Sequence, residues 1–229
     1  MISSQIRQIA RAMVSKDEVL RRIHQAGVIG IFRLDAPDRC VPAMDALIKG
    51  GLEVFEVTMT TPGALALVSD ARRKYGDNAL IGVGTVVDAE GAEKGADAGA
   101  QFVVSPSLDK GVIEVCAARG LVSCPGTFTA TEIVQAWKWG ADLVKVFPIS
   151  QVGPDYVRAI RGPLPQVRLV PTGGVDASNL GEYLQAGAFA VGVGGGLVSK
   201  RAVAEGRYDE LTDGAVRTVR AVTEARGQP

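Results

Sequence analysis

The chain has 229 residues, enough to bury one sizeable core, and its 25 Lys and Arg balance 25 Asp and Glu. No run of like charge appears, which excludes nucleic acid as the main partner, and the longest apolar stretches are of strand length, so neither a membrane-spanning helix nor a secretory leader is expected. The 28 glycines mark many tight turns rather than a helical bundle, and a cytoplasmic protein is expected.

Residues 1–14 place Ile6, Ile9 and Met13 at i, i+3 and i+7, the spacing of a short amphipathic arm lying on the domain or on a neighbouring subunit. Ser15-Lys16-Asp17-Glu18 reads as a capping box: the Ser15 hydroxyl serves a free backbone N–H, Glu18 reaches back, and the helix stops near Gly27. Eight short apolar runs then alternate with helical patterns: VIGIFR (28–33), EVFEVT (53–58), LIGVGT (80–85), QFVVS (101–105), LVSC (121–124), DLVKVF (142–147), RLVPT (168–172) and FAVGV (189–193). Helix signals lie between them. Thr61 precedes Pro62 at a first helical position with Gly76 beyond the end, and Thr129-Ala130-Thr131-Glu132 is a second capping box whose helix stops at Gly140. A helix ending in Gly-Ala enters a strand at 99, 140 and 187, so the repeat unit is one α-β step. Strands joined by helices run parallel with right-handed crossovers. Eight such units without a linker predict a single α/β domain over 15–229, a closed (β/α)8 TIM barrel rather than an open doubly wound sheet.

Cys40, Cys116 and Cys124 show no C-x-x-C spacing, and with His24 as the lone histidine they cannot assemble a familiar zinc cluster. Reduced thiols, no metal and no cofactor are expected. His24 follows Arg21, Arg22 and Ile23 near a helix end and is read as an exposed structural residue, which excludes Ser-His-Asp chemistry.

Side chains alternate along a strand, so Leu143, Lys145 and Phe147 share one face and Val144 and Val146 the other. If the aliphatic face meets the helices, Lys145 points into the barrel. The same register turns Val54, Glu56 and Thr58 inward, and Arg33, Thr85, Ser105 and Thr172 with them, each at a C-terminal strand end where barrel enzymes carry their chemistry. Polar groups among aliphatic layers must be paired or used. Flanked by Leu143, Val144, Val146 and Phe147, the Lys145 amine is partly desolvated, which favours its neutral, nucleophilic form. Such an amine attacks a ketone, and a nearby carboxylate moves protons as carbinolamine gives iminium. The plainer reading is an ion pair of Glu56 with Lys145 or Arg33. Pro171-Thr172-Gly173-Gly174 and Val193-Gly194-Gly195-Gly196 follow the last two strands, where barrels bind phosphate with bare backbone N–H groups.

These residues resemble the class I aldolases that cleave 2-keto-3-deoxy-6-phosphogluconate and 4-hydroxy-2-oxoglutarate. The likeness is carried by VFEVTMTTPGA (54–64), IGVGTVVD (81–88), FVVSPS (102–107), CPGTFTATE (124–132), LVKVFPIS (143–150), LVPTGGV (169–175) and VGVGGG (191–196). The resemblance implies a homotrimeric, metal-independent barrel with Lys145 forming the Schiff base and Glu56 as general acid and base. It implies that Thr85, Pro106 and Phe147 line a pyruvate pocket and that Thr172, Gly173, Gly174, Gly194 and Gly195 surround substrate hydroxyls and phosphate, with Arg33 at the end of the first strand. A phosphorylated keto acid is the implied substrate, cleaved reversibly to pyruvate and glyceraldehyde 3-phosphate. Two positions depart from the family pattern: Thr60 stands where many members have an arginine, and Gly196 where a serine commonly follows the last Gly-Gly pair. Substrate identity therefore stays open between this compound, its galactonate epimer and an unphosphorylated hydroxy-oxo acid. A phosphosugar isomerase and an idle phosphosugar-binding barrel are the other readings.

Overall fold

The computed structural model describes residues 14–227, so the arm expected over 1–14 lies, but for Val14, outside the described residues. Helix α1 (Lys16–Ala26) starts as expected, with the Ser15 hydroxyl accepting the Glu18 N–H at 3.2 Å, and ends at Gly27 with φ of 68°. Only half of the capping box forms. Arg21, one turn on, draws the Glu18 carboxylate away from the helix start. His24 is exposed, with its ring against Phe189.

All eight apolar runs are strands: β1 (Val28–Phe32), β2 (Val54–Thr58), β3 (Leu80–Gly84), β4 (Phe102–Val104), β5 (Val122–Cys124), β7 (Val144–Val146), β8 (Leu169–Pro171) and β9 (Val191–Val193), with a short β6 (Gly126–Thr127) following β5. They pair in parallel. A six-stranded sheet runs β5-β4-β3-β2-β1-β9 and a three-stranded sheet β6-β7-β8, where one continuous eight-stranded ladder was expected. The ladder changes at Pro125, which has no N–H to donate. Backbone contacts still cross both gaps: Leu143 donates to the Ser123 carbonyl at 3.0 Å, and Thr172 forms an isolated parallel bridge with Gly192.

Between the strands come α2 (Cys40–Lys49), α3 (Ala64–Tyr75), α4 (Ala89–Asp97), α5 (Lys110–Arg119), α6 (Ala130–Lys138), α7 (Gly153–Arg161) and α8 (Leu180–Gln185), and after β9 come α9 (Lys200–Ala204) and α10 (Tyr208–Ala225). The Thr129 box at α6 is complete. Helix α3 starts two residues later than expected, because Gly63, with φ of 69°, is its N-cap. Thr61 is buried instead, its hydroxyl accepting the Leu34 N–H at 3.3 Å and donating to the Phe32 carbonyl at 3.4 Å.

Strand alternation sorts the apolar residues into two clusters. Phe55, Val57, Val83, Val144 and Val146 face the helices, packing with residues such as Met44, Leu47 and Val68. Ile29, Val54, Leu80, Phe102, Val122, Leu143 and Val170 fill the inside, joined by Val19, Leu20 and Ile23 from α1. Burying each such side chain contributes roughly 1.5–3 kcal/mol. The three cysteines are buried and free.

Candidate active site

The inner face changes character two residues beyond its aliphatic layer. Glu56 follows Val54 on β2 and Lys145 follows Leu143 on β7, and both are buried, at 2% and 6% exposure. Above them opens a cavity of about 450 Å³. Nine of the twelve expected site residues line it, Arg33, Glu56, Lys145, Phe147, Thr172, Gly173, Gly174, Gly194 and Gly195, and so does Gly196.

Burial pushes the Glu56 carboxyl above the usual carboxylate range, while the positive charges of Lys145 and then Arg33 pull it back. A carboxyl so placed keeps its proton more readily than an exposed glutamate does. The Lys145 Nζ stands 5.0 Å from the centre of the Phe147 ring, within cation–π reach, and that ring forms part of the mouth at 37% exposure. The Thr172 hydroxyl donates to its own strand at the Val170 carbonyl, 3.2 Å away.

Room for the acid comes from Gly84 on the neighbouring strand. A Cβ there would lie 1.7 Å from Glu56 Oε1, so any larger residue would displace the carboxylate. The sequence reading passed over this residue, although a glycine at an inward strand position signals a close approach.

Three expected site residues do not line the cavity. Thr58 is fully buried and tied to Thr60 at 2.9 Å and Thr61 at 3.4 Å through hydroxyls. Pro106 is half-buried beyond the end of β4. Thr85 and Ser105 were expected to point inward, but β3 and β4 turn Leu80, Phe102 and Val104 inward and give positions 85 and 105 the opposite parity. Both strands also end one residue before these positions. Thr85 leaves β3 with φ of 58°, the one non-glycine positive φ among the described residues, and its hydroxyl stands 3.4 Å from the Arg33 guanidinium. Ser105 is fully buried, its Oγ without a partner among the described residues.

Two glycine turns close the cavity's other side. The carbonyls of Gly173 and Gly174 are tied by the Ser150 N–H at 3.0 Å and Asn179 Nδ2 at 2.9 Å. The N–H groups of Gly174, Gly194, Gly195 and Gly196 meet no protein acceptor among the described residues, which makes a seat for an anion. Asp176 and Lys200 also line the cavity, and the sequence reading missed both. They come from a loop and a helix start, where alternation gives no signal. Among the described residues no three His, Cys, Asp or Glu side chains gather as metal ligands.

The sequence profile described as "Aldolase: KDPG and KHG aldolase" matches residues 19–213. A Treponema pallidum protein named 2-dehydro-3-deoxy-phosphogluconate aldolase is 35% identical over 92% of this chain and 99% of its own length. An Escherichia coli protein named 2-dehydro-3-deoxy-6-phosphogalactonate aldolase is 35% identical over 74% of this chain and 83% of its own. Among solved structures, KDPG aldolase from Legionella pneumophila, with pyruvate captured as a covalent carbinolamine, superposes with a TM-score of 0.82 at 27% identity, covering 90% of this chain and 99% of that one.

Proposed function

The chain belongs to the KDPG and KHG aldolase family, and from that premise we propose that it reversibly cleaves 2-keto-3-deoxy-6-phosphogluconate to pyruvate and glyceraldehyde 3-phosphate through a Schiff base on Lys145. The observation that carries this reading is the joint burial of Glu56 and Lys145 beneath one cavity, at the top of an otherwise aliphatic interior.

Once Lys145 has passed its proton to the Glu56 carboxylate, its amine adds to the C2 ketone, giving a carbinolamine. Glu56 protonates its hydroxyl, and water leaves as the iminium forms. The carboxylate then takes the C4 hydroxyl proton, the C3–C4 bond breaks, and its electron pair passes into the enamine while the aldehyde departs. Glu56 returns the proton to C3, and water releases pyruvate and the free amine. A carboxyl whose affinity for protons is raised by burial suits both directions of this transfer. In the proposed pose Arg33, in reach of the Thr85 hydroxyl, faces the C1 carboxylate. Phe147 and Thr172 flank the chain, and the glycine turns face the phosphate. Thr58 and Pro106 support the walls from outside the cavity.

The two sheets, bridged at Leu143–Ser123 and Thr172–Gly192, support reading 15–229 as one closed eight-stranded barrel. Family membership supports a homotrimer, and half-exposed Phe128 and Val152, beside Tyr156, offer apolar surface to such a contact. We place the enzyme in the cytoplasm, with which three free thiols agree.

Trapping with borohydride and pyruvate, followed by mass mapping, is the direct test. An adduct on Lys145 is expected, and a folded protein that gives none would sink the mechanism. A second substrate, the galactonate epimer, is favoured by the 35% identity to the Escherichia coli relative so named. The ratio of kcat/KM on the two epimers decides between them.

A further inference from the structure

Of the cavity's cations, Lys145 reacts and Arg33 stands at the reacting end, which leaves Lys200 without a part in the cleavage. Resting on the aldolase reading above, we infer that Lys200 is a specificity-determining residue: with the backbone N–H groups of Gly194, Gly195 and Gly196 it binds the phosphate of the aldehyde half and so selects phosphorylated over unphosphorylated substrates.

Lys200 rides on the loop it would serve. The Gly194 carbonyl closes that loop by accepting the Leu197 N–H at 2.9 Å and the Val198 N–H at 2.8 Å, and the Ser199 hydroxyl then caps α9 by accepting the Ala202 N–H at 3.2 Å. Lys200 thus lines the same cavity as Gly194, Gly195 and Gly196. Arg33 is placed differently, extending β1, whose Ile31 is paired with Glu56. Its charge acts on the Glu56 carboxyl. The two cations therefore divide a substrate that is anionic at both ends. Arg33 lies with the carboxylate next to the attacked ketone, and Lys200 lies with the distant phosphate.

No side chain from the loop itself can take this place. A Cβ on Gly196 would lie 2.8 Å from the Asp176 Cβ, and Asp176 spends its carboxylate on the Ser178 N–H at 2.8 Å and hydroxyl at 2.6 Å. Lys200 currently pairs with Asp35 at 2.8 Å, but the two side chains are 56% and 84% exposed. Such a surface pair contributes little, so a phosphate dianion already held by backbone N–H groups can draw the ammonium across.

The condensation direction tests this without regard to the epimer formed. Full-length enzyme is given pyruvate with either glyceraldehyde 3-phosphate or glyceraldehyde. Wild type is expected to prefer the phosphorylated aldehyde. Lys200→Met is expected to raise KM for glyceraldehyde 3-phosphate by about 10- to 100-fold, with kcat/KM for glyceraldehyde and borohydride trapping of pyruvate unchanged. Lys200→Arg is expected to keep most of the preference, and Asp35→Asn to hold or lower that KM. Equal losses with both aldehydes, no loss with either, or an Asp35→Asn enzyme that copies Lys200→Met would each overturn the inference, the last by showing that the ion pair is only a brace. Failure of wild type to trap pyruvate on Lys145 would remove the Schiff-base reading and this inference together, and it is seen before any aldehyde is added.

Discussion

Val54 and Glu56 share one strand face, as do Leu143 and Lys145 and as do Val170 and Thr172. The lower member of each couple packs into an aliphatic plug sealed by Val19, Leu20 and Ile23, while the upper member is buried but polar. A step of two residues separates the layers. The lower layer supplies stability through buried area. The upper layer gives up some of that stability, because a carboxyl and an ammonium are held out of water where a substrate can use them.

Substitutions should therefore have opposite signatures in the two layers. Lys145→Ala, the largest effect, is expected to abolish turnover and pyruvate trapping while circular dichroism stays native, and an enzyme retaining near wild-type activity would break the division. Leu143→Ala, two residues below, is expected to lower unfolding free energy by about 2–5 kcal/mol in urea titrations, yet still trap pyruvate on Lys145. Glu56→Gln is expected to slow turnover by about 100-fold or more, while raising Tm at neutral pH. Folded Glu56 keeps its proton to higher pH than the unfolded chain does, because burial raises its pKa. Its stabilising protonation is complete below the unfolded carboxyl's pKa and is lost as pH rises through the folded one. The Tm gain of Glu56→Gln over wild type should accordingly vanish in acid and grow toward neutrality. A gain that shrinks with rising pH would reverse the sign of this account. Thr85→Gly is the smallest test. Removing a β-branched residue from φ of 58° should add about 1 kcal/mol of stability, with some loss of activity as Arg33 loses its neighbour.

Period-two alternation made Glu56 and Lys145 legible in the sequence, because both lie inside their strands with aliphatic neighbours fixing which face is which. The inward reading of Thr85 and Ser105 failed because it was out of step with Leu80, Phe102 and Val104 on the same strands, and Thr85 moreover leaves its strand with a positive φ. The start of α3 was misplaced because Thr61 and Pro62 resemble a helix start, while Thr61 is taken up by tertiary bonds to Leu34 and Phe32. Glu18 shows the same limit: a capping box needs both arms, and a competing Arg21 one turn away decides the second. Lys200 and Asp176 were invisible because their place at the cavity depends on how loops and helices return over the strands. The Gly-Ala step that enters three strands was legible as a repeat, but the two gaps that divide six strands from three, one of them at Pro125, were not.

The hollow at Gly84 has a consequence for how this sequence can drift. With a methyl group at 84 and a glutamate at 56 the two would occupy the same space, 1.7 Å apart, so position 84 cannot gain a side chain while the glutamate keeps its place. Across relatives of this chain, a side chain at 84 is expected only beside a shorter acid at 56 or where the acid has been abandoned altogether. An alignment in which side chains at 84 stood beside an intact glutamate at 56 would show that the carboxylate can be aimed from another direction.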